Sequence, residues 1–145
     1  MTNSKLKLAI ASILLWIGFV CAISFMEAWI KFRAPGVTIP IGLGIGRLVF
    51  GALNMVEWLF AIVIISNYIL TKTTFFTNQN TLYFIALLML IIETVWGLPA
   101  LDARAELYIQ GKAVPTSYLH FYYVGMEIIK VACLSLFGFK LLSKL

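Results

Sequence analysis

The chain has 145 residues, of which 62% are hydrophobic and only 12% are charged, too little polar surface to cover a water-soluble domain of this size. It is therefore expected to live in lipid. Its net charge of +5 reads as loop topology and not as a nucleic-acid surface.

Apolar stretches run from Leu8 to Ile30, Leu48 to Leu70, Leu82 to Leu101 and Tyr118 to Phe139, each near the ~20 residues a spanning helix needs. They are continuously apolar and do not alternate every second residue, which implies helices and not barrel strands. The expected fold is all-α: a single domain over residues 1–145 forming an integral membrane four-helix bundle, with helices at about 6–31, 43–71, 81–108 and 116–142. The first segment follows Lys5 and Lys7. It outruns the apolar core of a secretory signal and is read as a retained helix.

The connection from Arg33 to Pro40 contains the turn signal Ala34-Pro35-Gly36, and Thr71 to Asn80 is a polar surface loop by composition. Gly42, Gly44, Gly46 and Gly51 mark the entry of the second helix as a place for close small-residue packing. Pro99 is expected to kink the third helix. Beyond it, Asp102-Ala103-Arg104-Ala105-Glu106 favours continued helix up to Gly111. Cys21 and Cys133 fall in the first and fourth helices at different depths, so no disulfide is expected.

Four crossings put both termini on one side with Lys5, Lys7, Lys72, Lys140 and Lys144; the other side carries Lys31, Arg33, Arg47, Arg104 and Lys112. The count is even. Cytoplasmic termini are expected because Arg47 and Arg104 flank acid-bearing helices that can engage them, whereas the lysines of the terminal side have no acidic neighbours.

Glu57, Glu93 and Glu127 each interrupt a different apolar stretch. Measured from Arg47, Asp102 and Ser117 as marks of one membrane face, each lies ~15 Å deep, near the middle of a ~30 Å hydrocarbon core. Three carboxylates can thus meet at one level, a functional hypothesis by default. Arg47, Asn54 and Glu57 share one helical face, and His120, Tyr123, Glu127 and Lys130 make a stripe on another. Together with Glu27 they define the expected ligand or ion pocket, open beside His120 and closed above Glu127. Shared protons there suit a coupled transporter; a divalent metal would take Glu57, Glu93, Glu127 and His120 as candidate ligands; a mixed pocket suits a small polar solute. No arrangement suggests nucleophilic catalysis, no catalytic residue is assigned, and no cofactor is indicated. Expected partners are the lipid bilayer and a small solute or ion, with a homo-oligomer or a membrane partner protein also open. In a structural alternative, the acids only hold helices together in an accessory subunit of a membrane complex.

Phe25-Met26-Glu27-Ala28-Trp29-Ile30-Lys31-Phe32-Arg33, then Gly46-Arg47-Leu48-Val49-Phe50, Glu93-Thr94-Val95 and Leu98-Pro99 resemble the family of small four-helix membrane proteins typified by transmembrane protein 205. The likeness covers nearly the whole chain, and implies the four-helix fold and a role in handling solutes at membranes. Glu127, seven residues after His120, stands where that family usually places asparagine. A second resemblance, carried by Arg47, Asn54 and Glu57, is to the membrane-associated eicosanoid and glutathione metabolism family. It implies a trimeric glutathione-dependent membrane enzyme in which Arg47 and Glu57 hold glutathione. Gly46 replaces the acid that usually precedes the arginine there, and Gly51 stands where alanine is usual.

Overall fold

The computed structural model describes residues 3–143. Four long helices make up the fold: α1 (Lys7–Arg33), α2 (Ile39–Leu70), α3 (Thr81–Ile109) and α4 (Leu119–Leu142). No strand occurs among the described residues. By length and composition, α1, α2 and α3 are long and apolar enough to cross a membrane.

Helix α2 starts four residues earlier than the sequence suggests. Thr38 caps it, accepting from the Ile41 N–H, and Pro40 sits in the first turn, where its missing N–H has no partner to lose. Gly42 and Gly46 therefore lie inside the helix, covered by α1: a Cβ on Gly42 would fall 2.1 Å from the Phe32 ring, and one on Gly46 would meet the Lys31 ammonium at 3.2 Å. Gly44 and Gly51 face open space. Gly111, at φ +70, supplies the left-handed residue just past the end of α3, and α4 begins at Leu119, a little later than expected.

Neither α1 nor α3 is α-helical throughout. Cys21–Glu27 in α1 and Glu93–Gly97 in α3 are π-helical turns. In place of a simple proline kink, Pro99 opens the α-helix that resumes after the second π turn, so its lost backbone donor coincides with a disturbed ladder. The first half of α3 packs on α4, and its second half crosses to α2, while α1 packs against both α2 and α4.

Ile13, Trp16, Val20, Ala61, Ile64, Tyr83, Leu90, Leu134 and Phe137 form the core. The 71–80 connection is less polar in its packing than in its composition. Phe75 sets its ring among Tyr68, Tyr83 and Phe84, and Asn80, 3% exposed, accepts from the Tyr68 hydroxyl. This aromatic plug closes the end of the bundle where α1 begins and α4 ends. Outward, large apolar side chains such as Leu48, Leu70, Val95 and Phe139 are exposed along the helices. Cys21 and Cys133 are free thiols.

Candidate functional site

Lys130 and Glu127 are three residues apart on α4 and so project from one face. Against that face α2 brings Glu57 and α3 brings Glu93, and all four side chains are at most 1% exposed. The Lys130 ammonium lies 2.6 Å from Glu57 Oε1 and 3.0 Å from Glu127 Oε2, and donates to Glu93 Oε2. Two neutral donors complete the shell: Trp16 Nε1 donates to Glu57 Oε1 at 2.8 Å and Ser24 Oγ to Glu127 Oε1 at 3.1 Å. Glu93 Oε1 has no hydrogen-bond partner, and Glu127 Oε2 meets only the charge of the ammonium, off the direction of a hydrogen bond.

Both π turns border this cluster. Ser24 belongs to the first and Glu93 opens the second. A π turn shifts the register of the residues around it, and such turns concentrate at functional sites. Next to Glu93, Thr94 accepts from Asn54 Nδ2 and Trp58 Nε1, both at 2.9 Å, and donates to the Leu90 carbonyl. That knot ties α2 to α3 at the level of the acids.

Of the remaining expected residues, Tyr123 sets its hydroxyl beside Glu127, and the others lie elsewhere. Arg47 chelates Asp102, with Nη2 3.0 Å from Oδ2, and also holds Glu106, pinning α2 to the far end of α3. Arg47, Asn54 and Glu57 thus take separate partners and do not converge on one ligand. Glu27 pairs with Lys31 one turn on, at 3.1 Å. His120 is exposed and stands apart from the acids, so it leaves the candidate metal set, which is Glu57, Glu93 and Glu127 alone. Tyr123 is buried, with its ring edge-to-face on Phe50.

Two cavities are bordered by His120. The outer one, about 640 Å³, is bordered by Lys31, Arg47, Phe50, Leu101, Arg104 and His120 among others. The inner one, about 50 Å³, is lined by Ser24, Phe50, Leu101, His120, Tyr123 and Val124. Phe50, Leu101 and His120 border both, and Ser24 at the inner end touches Glu127.

No family model, curated protein or solved structure matches this chain. Function must therefore be argued from the site.

The three carboxylates offer oxygens within 4.8 Å of one another, a spacing compatible with one metal ion. The Lys130 ammonium, however, takes the position between them that such an ion would need. The donor set fits protons better than a divalent cation, since a proton can join any of the oxygens without displacing the lysine.

Trp16, Ser24 and Thr94 are the partners that sequence reasoning missed. Trp16 carried a usable signal, because an indole N–H deep in an apolar helix has to find an acceptor. Trp16→Phe should keep most of the packing and remove one of the two partners of Glu57 Oε1, leaving Lys130, and so lower stability by about 1–3 kcal/mol in a thermal or denaturant titration.

Proposed function

We propose that the chain is an integral membrane protein of four crossings, and that the Lys130 cluster is a proton-binding site on a path for protons across the membrane, serving the binding or transport of a small solute or ion. The observation that carries this reading is one buried ammonium facing three buried carboxylates. Full ionisation would leave two negative charges uncompensated in a low-dielectric core, a state that protons relieve at least cost. Unpartnered Glu93 Oε1 provides a place for one. The apolar exterior and the three helices of sufficient length support the membrane assignment. Arg47, held by Asp102 and Glu106, supports cytoplasmic termini by removing a free cation from the opposite side, whereas Arg104 meets no acid among the described residues and lends no such support; of the terminal-side lysines, Lys144 lies outside the described residues. The resemblance to the transmembrane protein 205 family belongs to the same proposal.

Solute handling is favoured over an accessory-subunit role because the glycines of α2 offer no continuous outward small-residue face. Gly42 and Gly46 are covered by α1, and Gly51 lines the outer cavity. The glutathione reading is disfavoured by the separate engagements of Arg47, Asn54 and Glu57.

Reconstitution tests the proposal. Liposomes loaded with a pH-sensitive dye and clamped with potassium and valinomycin should acidify faster with the protein than without it after the outside pH is lowered. Glu127→Gln should return the rate to that of empty liposomes. A wild-type rate no faster than empty liposomes, or a variant as fast as wild type, would refute proton passage through the cluster.

A further inference from the structure

The outer cavity is a site in its own right, distinct from the proton cluster. At about 640 Å³ it falls in the range of roughly 300–1,000 Å³ typical of small-molecule sites. Its walls are largely apolar, with Leu43, Phe50, Leu98 and Leu101 among them, and its charged lining is three cations, Lys31, Arg47 and Arg104, against one acid, Asp102. Arg47 is already answered by Asp102 and, beyond the lining, by Glu106. Arg104 has no acidic partner among the described residues; Nη1 donates to the Pro115 carbonyl, leaving the other guanidinium donors for something else. Lys31 gives one contact to Glu27 and retains further N–H donors beside the cavity.

A guanidinium with no acidic partner, together with spare ammonium donors, in a largely apolar chamber selects for a ligand of the complementary kind. We infer that this cavity binds an amphipathic oxyanion, a phosphate or carboxylate head held by Arg104 and Lys31 with its hydrocarbon body against Phe50, Leu98 and Leu101. A neutral amphiphile would leave Arg104 without a countercharge, and a cationic one would meet that same unanswered guanidinium. Such a head can belong to a free single-chain amphiphile or to an anionic membrane lipid.

Gly51 makes the test clean. It lines the cavity, and a Cβ built there meets nothing within 4 Å. Gly51→Leu should therefore intrude on the chamber from a position whose Cβ has room, while raising helix propensity. Arg104→Gln removes the cation that would hold the head group without orphaning an acid.

The full-length protein in a non-ionic detergent should be titrated with dodecyl phosphate, phosphatidylglycerol, dodecanol and dodecyltrimethylammonium, and retained adducts read by native mass spectrometry. Wild type is expected to retain a stoichiometric anion and neither the alcohol nor the ammonium compound. Both Gly51→Leu and Arg104→Gln should weaken retention at least about tenfold, whereas Glu127→Gln should leave it unchanged, separating this site from the proton cluster. Preference for dodecyl phosphate would support a free amphiphile as the source, and preference for phosphatidylglycerol a membrane lipid. Equal retention of the cationic compound, undiminished retention in a folded Gly51→Leu protein, or no anion retained at all would overturn the inference.

Discussion

Replacing Lys130 with methionine is expected to cost about 3–5 kcal/mol of stability, the penalty of leaving buried charge without its partner, and to yield little folded protein. Methionine matches the length of the lysine stem and keeps most of its packing, so the loss isolates the ammonium. That group is 0% exposed and stands between Glu57, Glu93 and Glu127. Without it, three carboxylates face each other with Trp16 and Ser24 as their hydrogen-bond donors. Two neutral hydrogen bonds do not offset that repulsion, because a carboxylate needs a countercharge or a proton at low dielectric. Thermal unfolding in detergent, compared with wild type at the same protein concentration, measures the effect. A midpoint within a few degrees of wild type would show that the lysine is not the cation that holds the acids together.

The meeting of the acids follows from arithmetic that sequence permits. Helical rise places Glu57, Glu93 and Glu127 at a common depth, and a three-residue step puts Lys130 on the face of Glu127. What periodicity does not set is the rotation of one helix against the next, which decides who donates to whom. Trp16 and Ser24 reach the acids from α1, and Arg47 turns away from them toward Asp102 and Glu106. His120 shares a stripe with Glu127 by spacing, yet stands at the cavity mouth, because seven residues of helix separate them by ~10 Å along the axis. The π turns at Cys21–Glu27 and Glu93–Gly97 have no composition of their own to announce them. Phe75 was masked by the polar residues around it, and only packing against Tyr68 and Tyr83 reveals its role as a plug.

Neutralising Glu93 and Glu127 together should separate function from stability in the opposite sense to the lysine variant. In Glu93→Gln with Glu127→Gln, a single carboxylate remains, Glu57, with Lys130 at 2.6 Å and Trp16 at 2.8 Å. One positive and one negative charge are then balanced, and the Ser24 contact persists because the glutamine carbonyl accepts as the carboxylate did. Each new amide lacks an acceptor where Glu93 Oε1 and Glu127 Oε2 now have no hydrogen-bond partner. An orphaned amide costs less than an orphaned charge. The double variant is therefore expected to match or exceed wild-type stability, by up to about 3 kcal/mol in denaturant unfolding, while its proton flux in liposomes drops to background. Stability gained as activity is lost is the mark of a site held in an unfavourable charge state for its function. Acids that served only to fasten the helices would give the reverse, a double variant that unfolds readily.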